Sequence, residues 1–236
     1  MKLIVSGATG FVAREVIRQS ISKREITSVI ALARRPVSVP DNLQDGADPS
    51  KLKSVIVEDY DHYSEDVIKE FAGSSACIWT VAITPSKSNM YNFDEVKRVC
   101  QACTIAGFKA IHQSGLSKPF RFLYLSGAGI ERDQTKTLRY QPKYMHMRGD
   151  TETKVLALAK EFDVEATAAR PGFITAPGDI LKYVIGTVVQ WSVGIPTINV
   201  VDLAAVMLDQ AVNGFEKDPL MPEDLAKIAK GIQDRK

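Results

Sequence analysis

The 236 residues carry 30 lysines and arginines against 28 aspartates and glutamates, a formal net charge of +2. So even a balance gives no electrostatic case for nucleic acid or an anionic membrane as the main partner. With 45% hydrophobic and 25% charged residues there is apolar surface enough to fold, which excludes a disordered chain, and three cysteines argue against a secreted disulfide scaffold.

From the N-terminus, Met1 and Lys2 run directly into LIVS at 3–6, a short β-type run, without a charged leader or cleavage site. A cytoplasmic location is therefore expected. Val12 to Ser22 places Val12, Val16, Ile17 and Ile21 at helical spacing, and SVIALA at 28–33 is a second strand. The stretch from Pro36 to Ser50 reads as a surface excursion. SVIVED at 54–59 and SSACIWTVAI at 74–83 are the third and fourth strands. A helix over Asp94 to Ala106 would put Val96, Val99, Cys100 and Cys103 on one stripe. RFLYLS at 121–126 is a fifth strand, Asp150 to Phe162 a helix, and VEATAAR at 164–170 a sixth strand. The run Tyr183 to Ile195 is too short to span a bilayer and is broken by Gln190 and Ser192, so no membrane partner is expected. Asp202 is read as the cap of LAAVMLDQAV, with Asn213-Gly214 as its stop. The charged tail after Pro222 reads as a short surface helix that frays. Strands alternating with helices predict an α/β chain, a Rossmann-type doubly wound parallel sheet in a single domain spanning 1–236. Residues from about 175 onward are expected to form a small C-terminal cap on the substrate side.

Gly7-Ala8-Thr9-Gly10-Phe11-Val12-Ala13 joins the first strand to the first helix as G-x-x-G-x-x-A. Gly7 permits a sharp turn, Gly10 lets the backbone approach a diphosphate, and Ala13 allows close contact between helix and strand. Gly7, Thr9, Gly10, Phe11 and Val12 are thus candidate cofactor contacts at a helix N-terminus that favours negative charge. The second strand ends in Arg34-Arg35-Pro36. An NAD site would carry a carboxylate there, whereas two guanidinium groups pair with a 2′-phosphate, so NADP(H) is expected. Asp59, at the end of the third strand, is placed to receive the adenine amino group, with Tyr60 beside it.

VSGATGFVA at 5–13, the ALARRP run ending at Pro36, FLYLSGAG at 122–129, YMHMRGDTE at 144–152 and ARPGFI at 169–174 together resemble the short-chain dehydrogenase/reductase superfamily. The likeness is to its extended and atypical NAD(P)-binding branch, which includes small fungal-type oxidoreductases. The resemblance implies a bound NADP(H) and reduction of a carbonyl or imine in a small-molecule substrate, here read as a small or medium, largely apolar ketone, enone or imine. It implies a nicotinamide end formed by Val81, Ala82, Ser126, Tyr144, Arg148 and Pro171, Gly172, Phe173 and Ile174. Tyr144 is the implied proton donor, with Arg148 one helical turn later and Ser126 as the hydroxyl partner.

The sequence departs from that pattern in two places. The family lysine is Arg148, which keeps the charge but cannot relay a proton. Where extended members carry the acting hydroxyl, about two residues beyond Ser126, this chain has Ala128. Three readings follow: Arg148 stands in electrostatically, the cofactor serves a non-redox isomerase or cyclase, or the protein is a non-catalytic NADP(H)-binding regulator. Tyr140 is a second candidate donor. No metal is expected, because Cys100 and Cys103 fall on an apolar helix stripe and read as core. His62 and His112 read as exposed, His146 as a candidate pocket residue and Trp79 as core. Tyr183, Val184, Val188, Trp191 and Ile195 read as core before lid or dimer face, and a homodimer stays open.

Overall fold

In a computed structural model, residues 1–176 and 196–235 are described. The first strand, β1 (Lys2–Ser6), buries Leu3, Ile4 and Val5 completely, as a central strand covered on both faces must. It pairs in parallel with β2 (Ser28–Ala33) on one side and β4 (Ala76–Trp79) on the other. Beyond them lie β3 (Leu52–Ile56), β5 (Arg121–Leu125) and β6 (Glu165–Ala169), giving the order β3-β2-β1-β4-β5-β6. All five pairings are parallel. This is the doubly wound order, whose reversal between β1 and β4 opens a crevice at the carboxyl ends of those strands.

Alternate side chains of the strands feed two separate cores. Leu3, Val5 and Val29 pack with Val16 and Ile17 of α1 (Phe11–Ser20), Leu203 and Met207 of α7 (Val200–Asn213) and Leu225 of α8 (Pro222–Gln233). On the other face Ile4, Trp79 and Phe122 pack with Phe71 of α2 (Glu65–Phe71), Phe108 of α5 (Cys103–Gln113) and Val155 of α6 (Pro142–Glu161). Between β4 and α5 lie two short helices, α3 (Pro85–Ser88) and α4 (Phe93–Lys97), and a π-helical turn over Arg98–Ala102.

Several expected boundaries move, each for an identifiable reason. The helix expected to stop at Ala106 runs on through Gly107 to Gln113, because a Cβ at position 107 would lie 2.1 Å from the Trp79 ring. That glycine is there for contact, not for ending the helix. The helix expected from Asp150 starts at Pro142, a residue suited to the first helical position. It passes through Gly149, where a Cβ would lie 1.8 Å from the Glu131 carbonyl oxygen. Asn199, not Asp202, caps α7 by accepting from the Val201 N–H at 2.9 Å; Asp202 sits in the first turn, where its charge suits the helix dipole. The charged tail does not fray: α8 buries Leu225, Ile228 and Ala229 against the first core. β7 (Phe173–Thr175) and β8 (Thr197–Asn199) form a separate two-stranded parallel sheet that the sequence pattern did not signal.

Trp79 is fully buried, and His62 is exposed beside Asp61, but His112 is not free. Its ring stacks on Phe162 with centroids 3.8 Å apart. Tyr183, Val184, Val188, Trp191 and Ile195 lie outside the described residues. Among the described residues no helix is long and apolar enough to cross a membrane.

The contact at Gly149 sets a test. Gly149→Ala drives a methyl into backbone that cannot turn aside, and overpacking of this kind costs about 1–3 kcal/mol. For a chain of this size that lowers the melting midpoint by roughly 2–12 °C. Thermal melts followed by circular dichroism check it, and an unchanged midpoint would dismiss the close approach of α6 to the segment at Glu131.

Candidate functional site

The turn after β1 is held from three sides. Gly7 has φ +68°, a left-handed conformation, and a Cβ there would stand 2.7 Å from Thr80 Oγ1. Thr80 in turn donates its hydroxyl to the Ser6 carbonyl at 2.6 Å and its N–H to Ser6 Oγ at 3.1 Å, fastening the ends of β1 and β4. The Gly7 N–H donates to Tyr60 Oη at 3.2 Å, and the Tyr60 O–H donates to the Leu32 carbonyl at 3.0 Å. Burial pushes the Tyr60 phenol up to about 12, so it stays a neutral tie between the turn and β2. Gly10 N–H closes the turn onto the Gly7 carbonyl at 2.7 Å.

What the turn presents is a helix start without a side-chain cap. Gly10 is the N-cap of α1, supplies no side-chain acceptor, and is followed by no acidic residue in the first turn. The first N–H groups of a helix lack partners within it and carry partial positive charge, so this end suits a diphosphate. Thr9, Gly10 and Phe11 are exposed around it, and Val12 is buried beneath.

At the end of β2, Arg34 and Arg35 are both exposed, and neither forms an ion pair among the described residues. Asp59 is engaged already: it accepts from the Tyr60 N–H at 2.7 Å and from Arg98 Nη1 at 2.8 Å. Tyr60 is buried with its hydroxyl committed to the turn, so it supports the end of β2 from behind.

Past β4, Ala82 and Ile83 pack in a small cluster with Cys100, Tyr144 and Met147, and Val81 is buried in the core beside Trp79. The Tyr144 hydroxyl donates to the Ile83 carbonyl at 2.9 Å. Cys100 Sγ accepts from the N–H of the same residue at 3.3 Å, so the Ile83 peptide is gripped at both ends. Burial raises the Tyr144 phenol above its ordinary range, with the nearby Arg148 charge opposing. Arg148 lies deeper, 3% exposed; its Nη2 donates to the Leu125 carbonyl at 2.7 Å and its guanidinium sits 4.9 Å from the Tyr124 ring centroid. Its Nε has no partner, and no carboxylate meets it among the described residues. Tyr140 is exposed on the loop before α6. His146 Nε2 donates to the Lys136 carbonyl at 2.9 Å, and the half-buried ring lines a pocket with Lys97, Gln101, Lys143 and Asp150.

Ser126 points elsewhere. Its hydroxyl donates to Glu152 Oε1 at 2.5 Å, not toward Tyr144. Glu152 is the residue that sequence reasoning passed over. Its carboxylate has no exposure, and it also accepts from Arg170 at 2.6 and 3.0 Å and from Arg132 at 2.6 Å. Arg132 continues to Asp218 at 2.7 and 3.1 Å, and Asp218 accepts from the Ala168 N–H at 2.9 Å. The available signal was a glutamate four residues after Arg148 with an arginine immediately before Pro171-Gly172. The Pro171 carbonyl receives the Ala128 N–H at 2.8 Å, while Phe173 on β7 is exposed and Ile174 half-buried.

The strand order, the glycine turn and the helix behind it define an NAD(P)-binding Rossmann protein with the architecture of extended short-chain dehydrogenases and reductases. More specifically, the chain belongs to the NAD(P)H-binding family, whose profile matches residues 7–213. It is 25% identical over 248 residues to the mitochondrial protein FMP52 of Candida albicans, covering 98% of this chain and all of that protein. Among solved structures it is similar to the PhqB reductase domain from Penicillium fellutanum, with TM-score 0.68, 15% identity, and coverage of 98% of this chain and 70% of that one. It is also similar to vestitone reductase from alfalfa, with TM-score 0.66, 16% identity and coverage of 99% and 91%. At such identities the two structures speak for the fold alone.

Gly10 offers the direct check on the turn. A Cβ there stands only 3.0 Å from the Gly7 carbonyl, tighter than ordinary van der Waals contact. Gly10→Val is expected to abolish dinucleotide binding in a fluorescence titration while the circular dichroism spectrum is retained. Wild-type affinity in that variant would remove the turn from the binding site.

Proposed function

We propose that the protein is an NADP(H)-dependent oxidoreductase that reduces a small or medium, largely apolar ketone, enone or imine. The observation that carries the cofactor choice is the pair Arg34 and Arg35, exposed and unpaired among the described residues at the end of β2, where a carboxylate would instead favour NAD. The dinucleotide, when bound, supplies the hydride. The N–H groups at the start of α1 would hold its diphosphate, and Asp59 would receive the adenine amino group. Tyr144 holds the proton. Its O–H rests on the Ile83 carbonyl, and on turning from that carbonyl to a bound substrate oxygen it gives up its proton as negative charge develops there. Arg148, behind the phenol, stabilises the phenolate left after transfer; with its Nη2 tied to Leu125 it acts by charge and not by gripping the ribose. The apolar substrate class is supported by Ala82, Phe173 and Ile174, apolar residues of the segments that follow β4 and β6. We place the protein in the cytosol; the mitochondrial name of the Candida relative supplies the competing location, and cell fractionation decides between them.

A second reading is favoured by Ser126 and Ala128. With the serine committed to Glu152 and alanine at the family hydroxyl's place, one substrate-binding hydroxyl is missing, which suits a regulator that binds NADP(H) without turnover.

Two measurements test the cofactor choice and then separate the two readings. Arg34→Ala with Arg35→Ala should weaken NADPH far more than NADH: a lost charge-assisted contact is worth ~1.5–3 kcal/mol, roughly one to two decades in affinity. Equal losses for both nucleotides would leave the arginines as surface charge. Tyr144→Phe should leave NADPH affinity nearly unchanged and lower single-turnover reduction, against a carbonyl panel, by about two to four decades. Full turnover in that variant would remove Tyr144 from the chemistry, and NADPH binding with no oxidation by the wild type would favour the regulator.

A further inference from the structure

The Ile83 carbonyl has two side-chain donors. The Tyr144 hydroxyl reaches it at 2.9 Å and the Cys100 thiol at 3.5 Å. Cys100 Sγ also takes the Ile83 N–H at 3.3 Å, so one fully buried thiol meets both backbone polar groups of a half-buried residue. A thiol can do this because the same group is a weak donor and a weak acceptor. Ile83 lies in the segment between β4 and α3, just past the strand end that borders the crevice.

The thiol is fixed from behind. Cys100 sits in the π-helical turn over Arg98–Ala102, an irregularity of the kind often found at functional places in helices. Its own carbonyl accepts from Thr104 Oγ1 at 2.9 Å and from Tyr124 Oη at 3.5 Å, and the Tyr124 ring carries the Arg148 guanidinium. The other two cysteines do nothing comparable. Cys103 Sγ donates to Asp59 Oδ1 at 3.8 Å, and Cys77 is buried in the core.

We propose that Cys100 is a positioning residue for the proton donor: its thiol keeps the Ile83 carbonyl matched while the Tyr144 hydroxyl is turned to the substrate oxygen. The inference rests on the reading of Tyr144 given above. Once the phenol has given up its proton, the phenolate has no hydrogen to return to the carbonyl and is repelled by it. A carbonyl poorly reached by water and left without a donor costs free energy, and that cost would fall on the transfer step. The S–H bond is weak enough to leave the phenol as main partner beforehand, and it persists afterwards. The thiol takes no part in the proton's path. The Tyr144 O–H bond breaks, the new bond forms at the substrate oxygen, and Cys100 keeps its hydrogen.

The test is a double-mutant cycle on the full chain, read first by urea unfolding. Cys100→Ala and Tyr144→Phe each leave the Ile83 carbonyl one side-chain donor, and together they leave none. The double variant should therefore unfold more readily than the two single effects combined, by about fivefold or more in the unfolding constant. The acceptor that the Ile83 N–H loses in Cys100→Ala is lost in both backgrounds and cancels. With Cys100→Ser, which keeps a donor, in place of Cys100→Ala, the excess should vanish. Should the double variant fail to fold beside two folded single variants, Cys100→Ser with Tyr144→Phe must still fold, and its failure overturns the inference. Single-turnover NADPH oxidation against the carbonyl panel is the second measurement. Cys100→Ala should slow it by about three- to tenfold at unchanged NADPH affinity, Cys100→Ser should restore most of the rate, and Cys100→Ala should add nothing to Tyr144→Phe. Independent effects in unfolding, or wild-type turnover in Cys100→Ala beside a slow Tyr144→Phe, overturn the inference and leave the reading of Tyr144 in place. A wild type that oxidises no NADPH, or a Tyr144→Phe variant with full turnover, removes that reading and the inference with it, whatever the unfolding cycle shows.

Discussion

The edge of the sheet that carries the site is organised around one buried carboxylate. A glutamate with no exposure is costly to hold in an apolar interior unless its oxygens are matched by charge and hydrogen bonds. Glu152 is matched by two guanidinium groups and a hydroxyl, and each comes from a different part of the chain. Ser126 follows β5, Arg170 follows β6, Arg132 sits on the loop before α6, and Asp218 relays the last of these to the backbone of β6. A carboxylate so placed can be satisfied in one arrangement of these elements only. Through Arg170 it fixes where the chain leaves β6 and so where Pro171 and Gly172 run past the crevice.

The opposite half of the crevice is fixed without charge. Tyr60, arriving from beyond β3, inserts a neutral hydroxyl between the Gly7 N–H and the Leu32 carbonyl, while Thr80 clamps β1 to β4. The positively polarised start of α1 and two exposed arginines without an ion pair among the described residues are thereby presented at that end. Rigid supports behind, unpaired donors in front: this division is what a site for a polyanionic ligand requires.

How much of this was legible in the sequence depended on whether a signal was local. The β2 run SVIALA was read with its observed bounds, and the glycine turn was placed correctly between strand and helix, because apolar periodicity and turn chemistry are written in neighbouring residues. The helix bounds at Ala106 and Asp150, drawn from apolar stripes, fell short at Gly107 and Gly149 for the converse reason. A glycine weakens a helix locally, but here the ring of Trp79 and the carbonyl of Glu131 occupy the space a side chain would need, and those atoms come from distant segments. Glu152 and Arg98 were invisible as organisers for the same reason: on a helix each reads as an ordinary surface charge, and only the folded sheet brings Arg170 to one and Asp59 to the other. Tyr144 and Arg148 could be named from spacing, whereas the depth of Arg148 could not.

That depth has a consequence for which cation the position can carry. Residue 148 is closed off beneath Tyr124 with no acid beside it among the described residues. An ammonium group in such surroundings is driven toward its neutral form by desolvation, and would arrive at the phenol with no charge to offer. A guanidinium, delocalised and weakly hydrated, keeps its charge at any pH the fold survives. What looks in the sequence like the loss of a lysine is, in three dimensions, the residue type that lets a permanent positive field persist in a dry compartment, insulated from the acidity of the surrounding solution.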